Sequence, residues 1–406
     1  YLYISGGDVL VWHHSSSGMG QLVTTQKFRD VGAWYHLVWS VDTTQGTAAN
    51  RMKFYINGSQ VTSFSTETYP DEDKELYWNV GGTYYPWIGR RHGGDYMDGY
   101  LAEIVHIDNA QLAATSFGEF DEDSPTIWKP KDVSGLTFGN NGFYLDFEDS
   151  SNLGNDANGG TDLTEVNLAA TDQATDTPTN NFATLNPLWR SRYVNGGTFS
   201  EGNTSIAFTA SDSDNGYGFS TLGASSGKWY WEIKVPVVAR ALIGVGDANI
   251  IAGFSSNFYE QNPSYGIGMY NDGALNANNT SASYADALSD NDIVMVALDM
   301  DNYLLWYGIN GTWQNSATQV EIENGTATND ATTEFGTQNV INNGEPVFPF
   351  VWDLSSSGQA SFQCNFGNPA FSISSGNADG NGYGNFEYAV PSGYYALCTK
   401  NLAEFG

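Results

Sequence analysis

The sequence predicts an all-β protein with two β-sandwich domains in tandem, and this prediction depends on composition, length and a repeated hairpin. Of 406 residues, 14% are aromatic and 46 are Gly, whereas only 15% are charged. Aromatic and β-branched runs between Gly-, Asn- and Ser-rich turns are typical of all-β chains. A chain of this length is ample for two cores and too long for one sandwich.

A hairpin pattern occurs twice. RMKFYING ends at Gly58 and NYLLWYGING ends at Gly311, and in each an aromatic strand runs into Asn-Gly before a second short strand. Asn and Gly tolerate positive φ, so this pair forms a tight turn whose twist matches two paired strands. A strand that ends in Asp precedes each hairpin, WYHLVWSVD at Asp42 and DIVMVALD at Asp299. The repeated plan predicts two modules of related architecture, and such modules usually bind rather than catalyse.

The charge balance is strongly acidic, with 46 Asp and Glu against 15 Lys and Arg and a formal net charge of −31. We therefore expect no nucleic acid partner, because neutralising phosphates needs clustered Lys and Arg. No apolar run is long enough to span a membrane, so no membrane partner is expected. The acidity suits a saline habitat, where salt screens self-repulsion, and it is equally typical of extracellular and virion β-proteins.

The first domain is predicted over residues 1–118. Its strands include WYHLVWSVD and RMKFYI, in which Met52, Phe54 and Ile56 share a face. WYHLVWSVD, MKFYINGSQV and IGR…DGYLAEI resemble, in order and spacing, the laminin-G-like jelly roll of the concanavalin A type. The opening strands of that family are missing, so we expect the sequence to begin inside the domain.

Residues 119–183 are predicted as a polar connector. Within it NGFYLDFED reads as one strand, with Phe143, Leu145 and Phe147 on one face, and residues 142–148 are expected to return to the first sandwich. The stretch that follows is rich in Asn, Asp, Gly and Thr and poor in large apolar residues. It is expected to lie at the surface, because it cannot bury a core of its own.

The second domain is predicted over residues 184–402. This half of the sequence resembles the SPRY domain, because its strand-like segments occur in the same order as in that family. The segments are GKWYWEIKV, ALIGVGDA, SYGIGMYNDG, the long hairpin, VFPFVWDL and ASFQCNFG. The full prediction is therefore an all-β chain of two concanavalin A-like jelly-roll β-sandwich domains in tandem with a polar linker. The ending PSGYYALCTKNL and the connector DQATDTPTNNFATLNPL resemble structural proteins of marine bacteriophages, including tail fibre proteins.

No catalytic residue is predicted. A retaining glycosidase needs two carboxyl groups about 5 Å apart, and the best candidates are Asp146 and Glu148, which would share a strand face. The position that would carry a third acid holds Ser150, and a polar turn follows at once. A solvated strand end explains these carboxylates better than catalysis does.

Calcium is the only cofactor that the sequence suggests. Carboxylate and amide oxygens in a flexible loop suit this ion, and NDANGGTD places Asp156, Asn158 and Asp162 in one Gly-rich turn. The spacing lacks the closing Glu of an EF-hand, and such strings are common in a chain of this composition. Calcium and an ordinary polar loop therefore both stay open.

Sugar binding would use exposed aromatic rings with polar groups beside them. Candidates occur in a loop-to-strand stretch of the first domain, in a long loop of the second, and after the second hairpin turn. Ordinary packing is the alternative for each of them. They are Tyr84, Tyr85, Trp87 and Arg91; Tyr259, Gln261 and Tyr265; and Trp313.

The sequence as a whole predicts a non-enzymatic virion structural protein of a bacteriophage, at the virion surface as a fibre, spike or capsid-surface protein. Its expected partners are a host-surface glycan or protein, other virion proteins and further copies of the chain. Rigid sandwiches would hold the binding loops in place. The alternatives are a secreted or surface adhesin of a marine bacterium and a glycan hydrolase on a jelly roll.

Overall fold

A computed structural model describes the chain except for residues 1, 14–16, 31, 77–86, 91–93, 98, 123–124, 190–196, 209–215, 249–265, 278–279, 336–340, 342–343 and 355–358. The described residues are nearly all β, which confirms the predicted fold class. The chain forms two compact units, Tyr1–Gln173 and Ala174–Gly406. This division falls inside the segment that the sequence predicts as a connector, residues 119–183.

The first unit is built of short antiparallel strands. Its strands are β1 (Leu2–Ile4), β2 (Leu10–His13), β3 (Gln21–Thr24), β4 (Leu37–Val41), β5 (Met52–Ile56), β6 (Ser59–Gln60), β7 (Phe64–Thr68), β8 (Ile104–His106), β9 (Gly118–Phe120), β10 (Trp128–Pro130) and β11 (Phe143–Leu145). Its helical segments are α1 (Ala48–Arg51) and the 3-10 turns Ala114–Ser116 and Ala170–Asp172. Strands β1-β2-β3-β7 form one sheet and β4-β5-β6 another, while β8 pairs with β11 and β9 with β10.

The β5–β6 hairpin has the predicted Asn-Gly turn. Asn57 has φ +46° and Gly58 has φ +79°, the left-handed conformation that such a turn requires. Strand β5 alternates as predicted, with one side buried and the other half-exposed. The buried side packs with residues of the larger sheet in one core, so the two sheets face each other. That core contains Leu10, Trp12, Met19, Leu22, Phe28, Met52, Phe54 and Ile56.

Left-handed residues limit two strands of this unit. Glu103 has φ +53°, so the strand in DGYLAEIVHI begins only at Ile104. Phe147 has φ +60°, and β11 therefore ends at Leu145. The prediction that Phe143, Leu145 and Phe147 share one strand face is wrong at Phe147, because a left-handed residue breaks the period of two.

The second unit has longer strands. They are β12 (Thr198–Ser200), β13 (Ser205–Ala207), β14 (Gly216–Phe219), β15 (Lys228–Val237), β16 (Ala241–Asp247), β17 (Gly266–Tyr270), β18 (Ala274–Ala277), β19 (Thr280–Ser283), β20 (Asp292–Asp299), β21 (Leu304–Ile309), β22 (Thr312–Trp313), β23 (Val347–Asp353), β24 (Ser361–Asn365) and β25 (Tyr395–Ala396). Its helical segments are α2 (Gln319–Glu323), the 3-10 turn Thr333–Phe335 and α3 (Thr399–Phe405).

Two antiparallel sheets form the sandwich of this unit. The larger has the order β12-β13-β24-β15-β20-β21-β22, and β25 pairs in parallel with the start of β15; the smaller has the order β14-β23-β16-β17-β18-β19. Strand β15 alternates as the sequence predicts, with Trp229, Trp231, Ile233 and Val235 in the core between the sheets. Strand β20 is apolar on both faces, as predicted for a central strand.

The outer face of the larger sheet is also buried. Tyr230, Met295 and Trp306 project from it into a second apolar cluster. The cluster is completed by chain on either side of the sandwich strands, because Phe182 precedes them and residues 386–398 follow them. Each unit of this protein therefore has a core, and the second unit has an extra layer that covers its larger sheet.

Candidate functional site

A cluster of two exposed aromatic rings and one half-buried arginine lies in the first unit. The Cζ atom of Arg90 is 4.1 Å from the centre of the Trp87 ring and 5.4 Å from the centre of the Tyr96 ring. Both distances are within the range of cation–π attraction. Trp87 is 42% exposed and Tyr96 is 70% exposed. We call these three residues the Trp87–Arg90–Tyr96 cluster.

A tight reversal of the backbone builds this cluster. Arg90 and Tyr96 face each other in an isolated antiparallel bridge, and the Met97 N–H donates to the Gly89 carbonyl at 2.7 Å. Gly89 has φ +77° and Gly94 has φ +105°, conformations that a side chain would disfavour. Gly89 and Gly94 thus help the chain turn back and place the Tyr96 ring beside the guanidinium.

Arg90 makes no ion pair with a described residue. The ion pairs within the described part of the chain use Arg29, Arg51, Lys129 and Lys228. The Nε atom of Arg90 is buried and donates no hydrogen bond to any described group. Among the described residues, the guanidinium contacts two aromatic rings and pairs with no carboxylate.

The structure places one of the four sugar-binding candidates of the first domain in this cluster, Trp87. Tyr84, Tyr85 and Arg91 lie outside the described residues. Sequence reasoning missed Arg90 and Tyr96. The Gly-Gly pair between them could have indicated the reversal that brings the two side chains together.

The candidates in the second unit do not form a described cluster. Tyr259, Gln261 and Tyr265 lie outside the described residues. Trp313 lies on β22, half-buried, and its ring packs edge-to-face against Tyr230 at 6.5 Å between centres. This contact gives Trp313 a packing role on the outer face of the larger sheet, and its role in ligand binding stays a prediction.

The predicted calcium loop is closed by its own hydrogen bonds. The buried Asp156 carboxylate accepts from the backbone N–H groups of Tyr144, Asn158 and Gly160 at 2.9–3.0 Å. The Asp162 carboxylate accepts from the Asp156 N–H at 3.1 Å and from the Asn152 amide at 2.9 Å, and these two bonds lower the pKa of Asp162. Within the described residues, no group of three or more His, Cys, Asp or Glu could hold a metal ion. Calcium at this loop stays a prediction. The carboxylates of Asp156 and Asp162 organise the loop through their own hydrogen bonds.

The two carboxylates that were considered for glycoside hydrolysis do not share a strand. Both follow the end of β11, and the Asp146 carboxylate accepts from the Glu148 N–H at 3.1 Å as in an ordinary turn. Glu148 is exposed. The expectation that they would lie on one strand face is wrong, because the left-handed residue between them reverses the alternation.

A shallow groove of about 170 Å³ also opens in the first unit. It is lined partly by Lys53, Phe64, Glu67 and Tyr69, from β5, β7 and the residue after β7. The Tyr69 hydroxyl donates to Glu67 at 2.9 Å, and burial followed by this bond raises the pKa of Tyr69 to about 12. The groove offers one cation, one carboxylate and two rings, but its mouth is wide and its polar groups are mostly exposed.

The most deeply buried acidic side chain with a shifted pKa, Glu232, has no access to solvent. It lies on the outer face of β15 under the covering layer and accepts four hydrogen bonds at 2.8–3.2 Å. Burial raises the pKa of this carboxyl, and the backbone N–H donors of Glu387 and Tyr388 oppose that rise. Because no substrate can reach it, Glu232 serves the fold and not chemistry.

Comparison with known families identifies both domains. Residues 1–114 match the laminin G family profile described as the concanavalin A-like lectin/glucanases superfamily. Residues 228–369 match the profile of the SPRY domain. The chain therefore contains a concanavalin A-like domain followed by a SPRY domain, which confirms both resemblances seen in the sequence. Domains of these two classes are typically non-catalytic binding modules, so the pair suggests a binding role.

Solved structures give weaker similarities. The chain matches the SPRY domain of human HERC1 with 16% identity and a TM-score of 0.31, over 44% of this chain and 96% of that one. It matches stonustoxin with 16% identity and a TM-score of 0.31, over 45% of this chain and only 27% of that one. A search of curated proteins found no match. Within the described residues, no helix is long and apolar enough to cross a membrane.

Proposed function

We propose that this protein is a non-enzymatic structural protein of a bacteriophage virion, a fibre, spike or capsid-surface protein that binds carbohydrate on the host surface. The observation that carries the binding part is the Trp87–Arg90–Tyr96 cluster, with two exposed rings on a β-sandwich of lectin-like class. The phage origin is supported by the resemblance of the ending PSGYYALCTKNL to phage structural proteins. Further partners in this proposal are other virion proteins and copies of the same chain.

Ring stacking is the physical basis of the proposed contact. The face of a sugar ring carries C–H groups that pack on an aromatic face, while its hydroxyls need donors and acceptors at the rim. Trp87 and Tyr96 supply two rings, and the guanidinium of Arg90 supplies donors between them. Since the rings are already held by cation–π contacts, little side-chain entropy is lost on binding.

The test is binding of the full chain to a glycan array and to host cells. We expect Trp87→Ala and Tyr96→Ala each to weaken glycan binding about tenfold, because each substitution removes an aromatic face on which a sugar ring can stack. Phe120→Ala is the matched control, since it removes another exposed ring of the same unit and should leave retention unchanged. The proposal would be overturned if the wild-type chain bound no glycan on the array and did not bind host cells.

The non-enzymatic part has its own test. The full chain is incubated with host and algal polysaccharides, and reducing sugar is measured. We expect none to be released. If the wild type released reducing sugar and Glu148→Gln did not, the protein would be a glycan hydrolase. That result would refute the non-enzymatic part of the proposal and leave carbohydrate binding unaffected.

A further inference from the structure

Arg90 is an unusual cation for this protein. The chain has 15 Lys and Arg against 46 Asp and Glu, so carboxylates outnumber cations about threefold. Arg29, which lies at the surface of the same unit, pairs with Asp8 at 3.3 Å. The Cζ atom of Arg90 instead lies within cation–π distance of the Trp87 and Tyr96 rings, and Arg90 makes no ion pair with a described residue.

The two rings contact the guanidinium of Arg90 over its Cζ atom. A guanidinium is planar, and its N–H groups lie in that plane as a fork that matches the oxygens of a carboxylate or a similar oxyanion. Rings that lie over the Cζ atom do not use this in-plane fork. The cluster therefore combines stacking surfaces for a sugar ring with an oriented donor group for an anion.

We propose that the Trp87–Arg90–Tyr96 cluster is selective for acidic sugars, in which the ring stacks on an aromatic face and the charged group is bound by Arg90. This inference rests on the proposed carbohydrate binding and adds the ligand class. The shared chemistry is a singly charged oxyanion on a sugar, either the carboxylate of a uronic acid or a sulfate ester. With a net charge of −31 the whole chain repels anions, so preference for an acidic sugar requires a local cation.

The experiment is calorimetric titration of the full chain with four probes. Two are acidic, an oligogalacturonate and a sulfated galactan oligosaccharide, and two are their neutral counterparts, made by carboxyl reduction and by desulfation. We expect at least one acidic probe to bind about tenfold more tightly than its neutral counterpart, which is the size of effect that one hydrogen-bonded charge contributes. The acidic probe that binds identifies the source of the anion.

Variants separate the charge from the rings. Arg90→Gln should reduce this preference to within about twofold, while Arg29→Gln, which removes the same charge from the same unit, should preserve it. Arg90→Lys should retain part of the preference, because it keeps the charge and loses the planar fork. Melting curves of each variant confirm that the first unit is folded.

The outcomes distinguish this inference from the proposed function. Equal affinity for acidic and neutral probes, or an acidic preference that persists in Arg90→Gln, would overturn the ligand class and leave carbohydrate binding through the rings intact. Failure of both acidic probes to bind would also overturn it, and the glycan array then decides the proposed function separately.

Discussion

Replacing Glu232 by Ala should destabilise the second unit more than almost any other single polar change. The carboxylate is fully buried and accepts from the Tyr230 hydroxyl, the Asn365 amide and the backbone N–H groups of Glu387 and Tyr388. The Asn365 amide keeps a second acceptor, the Asn385 carbonyl, at 2.9 Å. The two backbone N–H groups cannot turn to another acceptor, because they belong to chain that is packed on the sheet.

The expected magnitude follows from those two donors. A buried donor left without an acceptor costs about 1–3 kcal/mol, so two of them cost about 4 kcal/mol in free energy of unfolding. For a unit of this size, that loss lowers the melting temperature by about 10 °C. Differential scanning calorimetry of the full chain measures it, and Glu404→Ala, at an exposed position near the C-terminus, should move the transition by less than about 2 °C. A Glu232→Ala protein that melts with the wild type would refute the reasoning.

Glu232 also predicts a dependence on pH. Because burial raises the pKa of this carboxyl above its ordinary value of 4.5, the folded state binds a proton more readily than the unfolded chain. Stability from this group therefore falls as the pH rises through the folded pKa and is regained on acidification toward pH 4.5. Relative to Glu232→Gln, which does not titrate, the wild type should gain stability over that window. An unchanged difference between the two proteins from pH 7 to pH 4.5 would contradict the shift.

Three further outcomes are expected. His36 accepts a hydrogen bond from the Trp128 indole at 3.0 Å and burial lowers its pKa, so the first unit should lose stability below pH 6.5, less so in His36→Gln, as measured by thermal melts. A Cβ at Gly311 would lie 2.9 Å from the Tyr388 ring, whereas Gly393 has a similar φ and no atom within 4 Å of its Cβ position. Gly311→Ala should therefore lower the free energy of unfolding by about 1–3 kcal/mol more than Gly393→Ala, as measured by urea denaturation. If the loop after β11 holds calcium, chelation lowers the melting temperature of the first unit. An unchanged melting temperature would exclude calcium from this loop.

Much of the fold could be predicted from local sequence because strand alternation and turn chemistry are local. The two Asn-Gly hairpins have the expected left-handed turns. The errors occur where a residue other than Gly adopts positive φ. Glu103 and Phe147 have positive φ inside runs that the sequence predicts as alternating strands, and their side chains give no signal of this conformation.

The candidate site was only partly predictable for a different reason. An exposed aromatic residue can be proposed from composition, but its partners depend on how the chain turns. Trp87 is a candidate because other aromatic residues flank it in the sequence, whereas Arg90 and Tyr96 come together only through a reversal in which the Gly89 carbonyl accepts from the Met97 N–H. Likewise, the sequence predicts Asp156 and Asp162 in one Gly-rich loop, but their hydrogen bonds to backbone N–H groups are set by how that loop folds.

Strand β15 obtains its neighbours from distant parts of the chain, and this has a consequence for how the protein is made. Its start at Trp229 pairs with Tyr395, and Phe182 bridges to Cys398. While the polypeptide is still emerging from the ribosome, β15, β20 and β21 can already associate, but their outward side chains, including Tyr230, Met295 and Trp306, remain in contact with water. Such long-range closure slows folding, so nascent chains should need chaperone protection until residue 398 is available.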